Sequence, residues 1–526
     1  MVVGMSKLLT TQLTIFTGTT NHMSYELTTE QNNIIAASMS REPDGSVTNS
    51  FISIRAVAGS SKSYTMVELS NQLAAKYPNL DLRFLVFGNA NSKQAQTEMN
   101  SGISSCSTLH SLAYQSTVKQ YDLMTPIVSS LSYRDLPKSI KRPFGTDVPA
   151  IKLVDSYCNS GSLSIDSYVA TIDRTNDEYP SPAIIRLAKT ILNMLAAGQI
   201  KTTHSFYLKL YHILLMNGTI EPNEVDVLIL DEAGDLTPIT VDIFDKLPAK
   251  QKIMLGDDKQ VIMGWMGCVN GFDHFAGRGI ALPLSKSFRV TRHIAAQIEQ
   301  FGRKYMDPEF IFEGMDYEPN PVITTTAYLT RTNASLIAKM IQLNETGIAY
   351  KLSSSSKIYQ IFKLPLALIY LKPGFKQNDP ELKYLQQDVD TWARSQQLRL
   401  QYPRKSDYIK IMHEENPAIA AGYNLIARFT SDGIITAYKS ADAHKKLRNC
   451  NHTIMTGTTS KGSTFDAVEL DPDIDKSIED ILPEFKDPDF VPNKEQLAEL
   501  MHFYVSISRC RHHLTGSQYI TNKELI

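Results

Sequence analysis

The chain has 526 residues, of which 42% are apolar and 21% charged, and carries a formal net charge of −2. That length allows several cores, so two or more domains are expected, and the composition is that of an ordinary globular protein. The near-neutral balance excludes a broadly basic surface as the basis of partner choice, yet leaves room for a locally positive groove.

Residues 1–23 are mildly apolar but interrupted by threonines and Lys7, which reads as a tail and not a signal peptide. No apolar run reaches the length of a membrane span. The five cysteines (Cys106, Cys158, Cys268, Cys450 and Cys510) include no C-x-x-C pair. That argues for a reducing compartment and against a disulfide framework or structural zinc. The expected setting is therefore the cytoplasm, with no membrane partner.

In chain order, short apolar runs break off in small or polar residues: "FISIRAVAG", "LRFLVFGNA", "VDVLILDEA", "QKIMLGDD", "PVITTTAYLTR" and "NHTIMTGTTSKG". Buried parallel strands end in this way before ligand-binding loops. Between them lie helical patterns, among them "SYTMVELSNQLAAKY", "SPAIIRLAKTILNMLAAG", "RHIAAQIEQFGRKYM" and "ASLIAKMIQL". The alternation predicts doubly wound α/β architecture with ligands at the carboxyl ends of the strands. Two stretches break the rhythm and read as insertions, 115–179 and 344–449.

"RAVAGSSKSYT" (Arg55 to Thr65) approximates the phosphate loop G-x-x-x-x-G-K-[ST], with Ala56 and Ser61 in the two glycine places. A strand, a turn of small residues and a helix form the context such a loop needs. The backbone of Ala58, Gly59, Ser60, Ser61, Lys62, Ser63 and Tyr64 would surround the phosphates at a helix N-terminus. Lys62 would reach the β- and γ-phosphates, and the Ser63 hydroxyl would sit on Mg²⁺. Alone, the stretch is equally a strand-to-helix turn with a solvated lysine.

"VDVLILDEAGD" adds the second half of the site. An apolar strand delivers Asp231 and Glu232 together, one carboxylate suited to Mg²⁺ and one to activating water. An acidic helix cap is the competing reading. Together the two stretches predict an ATP site.

With these motifs in order, the chain resembles superfamily 1 DNA helicases of the UvrD/Rep kind, closest to the F-box DNA helicase branch and phage-type relatives. The resemblance runs from "LTTEQ" (Leu27 to Gln31) to "YVSISRCRHHL" (Tyr504 to Leu514). It implies two RecA-like P-loop lobes: 1A over 24–114 and 180–280, and 2A over 281–343 and 450–526. The insertions become subdomains 1B (115–179) and 2B (344–449).

By the same resemblance Gln31 reads the adenine edge, although Thr28 and Gln31 also form a capping box. In "VFGNANSKQAQTEM" and "STLHSLAY", Asn91, Lys93 and His110 line a single-stranded DNA path. "LGDDKQVIMGWMGCVNGFD" implies that Gln260 senses the γ-phosphate and that Trp265 stacks on a base, with a buried core role as its competitor. "LSKSFRVTRHIA" aims Arg289 at the γ-phosphate and sets Phe288 against adenine. "TGTTSKGSTFDAV" brings Thr458 to DNA and Gly462 to the nucleotide. "YVSISRCR" makes Arg509 the finger that stabilises the transferring phosphoryl group. "THSFYLKLY" also resembles the F-box branch, though Phe206, Tyr207 and Tyr211 read better as core; Arg331 and Asn333 of "LTRTNASL" read as structural.

Five residues depart from the family pattern: Ser61 for glycine, Gly234 for glutamine, Met266 for arginine, Thr458 for histidine and Thr464 for glutamate. Because the charged groups survive, the expectation is a slow or weakly selective ATPase that uses ATP and Mg²⁺. It would move on single-stranded and tailed or forked duplex DNA with 3′→5′ polarity, together with a replication or recombination protein. The alternative is an ATP-binding, DNA-binding scaffold with little catalysis.

Overall fold

The computed structural model describes residues 26–86, 104–119, 125–140, 146–174, 179–262, 267–317, 321–370 and 417–521. Its strands in chain order are β1 (Phe51–Ala56), β2 (Leu82–Leu85), β3 (Ser104–Ser107), β4 (Ile127–Val128), β5 (Thr202–Thr203), β6 (Val225–Leu230), β7 (Ala249–Gly256) and β8 (Ile280–Leu284). They continue with β9 (Lys286–Thr291), β10 (Glu313–Met315), β11 (Thr326–Thr330), β12 (Lys351–Leu352), β13 (His452–Thr456), β14 (Phe465–Leu470) and β15 (Cys510–Thr515).

Two large, wholly parallel sheets result, beside two parallel pairs, β4-β5 and β9-β10. The first runs β3-β2-β6-β7-β1-β8 and the second β12-β13-β11-β14-β15. Parallel strands need crossover connections, and the helices predicted between the apolar runs supply them: Lys62–Lys76, Pro182–Ala196, Arg292–Tyr305 and Asn333–Thr346. In β1, Ile52 and Ile54 are fully buried, as expected of a central strand covered on both faces. Ile54 aligns with Leu255 on one side and Leu282 on the other, so the loop after β1 emerges from an interior strand, one in from the β8 edge.

The insertion after residue 115 is more helical than its polar sequence suggests. Helices Asp147–Asn159 and Ile165–Thr171 build their own core with Leu131, Leu153, Val154 and Cys158. Helix Pro182–Ala196, assigned from sequence to the first lobe, belongs to this core through Leu187, Ala188, Ile191 and Leu195. Its amphipathic stripe was legible, but the element it packs against was not. In the second insertion, helices Ile358–Tyr370 and Pro417–Lys446 pack on helix Asn333–Thr346, and β12 pairs with β13. Residues 371–416 of that insertion lie outside the described residues. All five cysteines are free thiols. Among the described residues no helix is long and apolar enough to cross a membrane.

Two buried histidines tie stability to pH. The His212 ring lies 3.4 Å from Lys209 Nζ and 3.1 Å from Asp242 Oδ2. His502 is 3% exposed, on the helix Lys494–Ile507. Burial pushes each imidazole down to about 4. The fold thus favours the neutral rings, whereas the unfolded chain takes up protons below about pH 6.5. Stability should be complete above pH 6.5 and be lost as pH falls towards 4, by ~3 kcal/mol per ring. Thermal unfolding followed from pH 7.5 to 4.5 should show this decline, and His212→Asn should reduce it by roughly half, leaving the part due to His502.

Candidate functional site

The loop after β1 carries its residue types for backbone reasons. Gly59 has φ +76°, and a Cβ there would stand 2.7 Å from Arg289 Cβ and 2.8 Å from Ser287 Oγ. Its carbonyl accepts the Phe288 N–H at 2.9 Å, so the loop lies directly against β9. Ser61 sits at φ 60°, ψ 38°, left-handed for a residue with a Cβ, and caps helix Lys62–Lys76 by backbone alone. That conformation costs a serine roughly 1 kcal/mol relative to glycine. The Ser60 hydroxyl is buried with no hydrogen-bond partner among the described residues. Ser63 is exposed on the first helical turn, and Lys62 and Tyr64 are half-buried beside it.

Strand β6 delivers the acids. Asp231 is 5% exposed, and its Oδ1 accepts the Glu232 N–H at 2.9 Å. Glu232 adopts φ 56°, a left-handed position that turns the chain sharply at the strand end. Burial and the neighbouring Glu232 charge raise the Asp231 carboxyl well above the usual carboxylate range. Burial also works against charge on Glu232, but Lys62, Lys461 and Arg509 outweigh it and hold that carboxyl low. Gly234, where the motif has glutamine, meets a plain steric demand: a Cβ would lie 2.3 Å from the Asp257 carbonyl oxygen. The loops after β6 and β7 interlock there.

Groups from the second lobe close over these loops. Arg509 is 1% exposed, and its Nη2 donates to Gln260 Oε1 at 3.3 Å and to Ser508 Oγ at 2.8 Å. Arg289 Nη1 donates to the Ser508 carbonyl at 3.1 Å. Burial, and then the neighbouring Arg289, lower the Arg509 guanidinium from its ordinary value; burial likewise lowers Arg289. Lys62 acts electrostatically on Asp231, Glu232 and Asp257, and both arginines act on Glu232 and Asp257. Lys62, Asp231, Glu232, Gln260, Arg289 and Arg509, up to 447 residues apart in the chain, are therefore brought to one cleft.

Three further residues joined there were not singled out from sequence. Lys461 Nζ crosses the cleft to Asp235 Oδ2 (3.1 Å), the Gln260 carbonyl (3.1 Å) and Glu232 Oε2 (3.8 Å). Tyr504 and Asp257 are buried beside Gln260. The "SKG" and "YVSI" stretches that hold the first two were visible, but only the fold gives these side chains partners.

The remaining predicted residues divide. Gln31 is 2% exposed; its Nε2 donates to Thr65 Oγ1 and its Oε1 accepts the Thr28 N–H, both at 2.9 Å. The capping box is thus formed, and reading a base would require Gln31 to turn away from Thr65. Phe288 is half-buried on β9. Gly462 turns the chain after Lys461 at φ +84°. Thr458 Oγ1 pairs with His502 Nε2 at 3.1 Å, so an imidazole still stands beside the position where the motif has histidine. His110 is exposed, with its ring edge-on to His204 and Tyr207. Phe206, Tyr207 and Tyr211 are buried core, as their apolar company suggested. Arg331 is held bidentate by Glu499, and Asn333 begins helix Asn333–Thr346. Asn91, Lys93, Trp265 and Met266 lie outside the described residues.

Parallel α/β sheets flanked by helices are consistent with a RecA-like fold, with a stretch that approximates a phosphate loop after one strand and paired acids after another. No family profile matches the chain. It is similar to F-box DNA helicase protein 1 of Schizosaccharomyces pombe, at 22% identity over 89% of this chain and 56% of that protein. The chain thus spans about half the length of that curated relative.

Two substitutions check the loop geometry. Ser61→Gly should raise unfolding stability by about 1 kcal/mol. Gly234→Gln, which restores the motif residue, should lower it by about 1–3 kcal/mol, because the side chain must displace the Asp257 loop. Denaturant titration of both variants measures the two signs.

Proposed function

We propose that this chain is an ATP-dependent DNA helicase or single-stranded DNA translocase. The observation that carries the reading is the convergence of Lys62, the Asp231–Glu232 pair, Gln260, Arg289 and Arg509 on a cleft between two parallel-sheet lobes. The similarity to a curated DNA helicase supports DNA as the partner.

The residues suit a nucleoside triphosphate with Mg²⁺. The small, tightly turned loop ends in Lys62 and a helix N-terminus, which favours phosphate. Asp231, disfavoured as an isolated buried anion, is the carboxylate that a cation would relieve, with the Ser63 hydroxyl as the second ligand. The bound metal would neutralise charge on the β- and γ-phosphates. Glu232, held ionised by its three cationic neighbours, orients the attacking water and takes its proton. Gln260 senses the γ-phosphate, while Arg289 and Arg509 face the charge that develops on it. Because Arg509 comes from the second lobe, hydrolysis requires closure and release reopens the cleft, which converts turnover into stepping along a strand. Movement is 3′→5′ by family resemblance, along a path past His110, Thr458, Asn91, Lys93 and Trp265. Tailed or forked duplexes are the structures on which it would act, with a replication or recombination protein as partner.

A second reading has one observation behind it. The left-handed Ser61 stores strain where phosphate would sit, which favours a scaffold that binds ATP and DNA with little turnover. ATPase assays with and without single-stranded DNA separate the two. The motor predicts DNA-stimulated hydrolysis that Lys62→Ala abolishes and Arg509→Ala lowers by roughly a thousandfold. Binding without turnover would select the scaffold, and strand displacement on 3′- and 5′-tailed duplexes then reads polarity.

A further inference from the structure

Tyr504 lies on helix Lys494–Ile507 of the second lobe and is fully buried. Its hydroxyl accepts the Ala58 N–H of the loop after β1 at 3.1 Å and donates to Asp257 Oδ2 at 2.9 Å. The same Asp257 oxygen accepts Gln260 Nε2 at 2.7 Å, and Gln260 Oε1 accepts Arg509 Nη2. Asp257 Oδ1 accepts the Lys259 N–H at 3.0 Å, so every hydrogen bond at this carboxylate comes from a donor. One unbroken chain of hydrogen bonds therefore runs from the phosphate-loop backbone through Tyr504, Asp257 and Gln260 to Arg509.

Three of its four bonds cross between the lobes, two at Tyr504 and one at Arg509, while Ala58, Asp257 and Gln260 belong to the first lobe. Opening the cleft must break both bonds of the phenol at once. It would also strand the Ala58 amide and remove one of Asp257's donors in a dry setting, where such losses are costly. Val57 and Ala58 also pack in the hydrophobic core of the second lobe, so opening must withdraw them from that packing as well.

We infer that Tyr504 is a positioning residue: through Asp257 and Gln260 it registers lobe closure and sets Arg509 over the phosphate loop. This rests on the ATPase reading above and adds to it the device that couples closure to the finger. Tyr504 lies behind the loop and acts on the closed, reactive arrangement. Its loss should accordingly fall on turnover and leave nucleotide affinity alone.

The test is steady-state ATP hydrolysis at saturating single-stranded DNA, with binding of a fluorescent ADP analogue measured separately. Tyr504→Phe keeps the ring and removes only the hydroxyl. It should lower kcat roughly ten- to a hundredfold, with KM for ATP and the analogue's Kd within about twofold. Asp257→Asn should behave alike, and the double variant should be no worse than the poorer single, because both cut one chain. Thermal unfolding confirms that the variants are folded at the assay temperature. An unchanged kcat in Tyr504→Phe, a loss confined to KM, or multiplying losses in the double variant would overturn the inference while the ATPase reading stands. Absence of DNA-stimulated hydrolysis in the wild type would remove both.

Discussion

The structure depends on charge compensation across a cleft. Among the described residues, Lys62, Lys461, Arg289 and Arg509 face Asp231, Glu232, Asp235 and Asp257, all buried or half-buried where the lobes meet. Neither half of that set could be desolvated alone, since an unpaired buried charge costs several kcal/mol. The first lobe brings all four of these acids and the second three of the four cations. Each therefore completes the other, and the strained backbone at Ser61 and Glu232 persists inside this surround. The same balance lets a chain of net charge near zero gather many charges at one place. The compensation is local and gives no sign in the total.

Much of this was legible in the residues. Parallel strands announce themselves as continuous apolar runs, and the six runs picked out correspond to β1, β2, β6, β7, β11 and β13. β3 ("SSCS") and β15 ("CRHHLT") were not anticipated, because edge strands need no apolar run and register with a neighbour defines them. Lys62 was legible because it begins a helix, and Asp231 and Glu232 because they follow the end of a strand, where a ligand would meet them; Arg289, inside β9, was legible only through its motif. Lys461, Asp257 and Tyr504 were missed for the opposite reason. Each meets a partner more than 200 residues away, a relation that no local pattern encodes.

The departures from the motif pattern also take on a physical sense. Gly234 is dictated by the backbone of a neighbouring loop, and the histidine absent at Thr458 has an imidazole beside it in His502. Ser61 has no compensation in view among the described residues, since it adopts the glycine conformation without being glycine. The pattern at these places is one of local repacking in which the charged groups are kept.

Helix His204–Met216 faces two ways. Phe206 belongs to the core of the first insertion, while Tyr207, Leu208, Tyr211 and Leu215 belong to the core of the first lobe. The insertion cannot swivel on a soft joint without withdrawing Phe206 from its packing. It is an outrigger bolted to the lobe that carries the loop after β1. A few degrees of rotation at the cleft would reappear at its far edge as a displacement proportional to its reach.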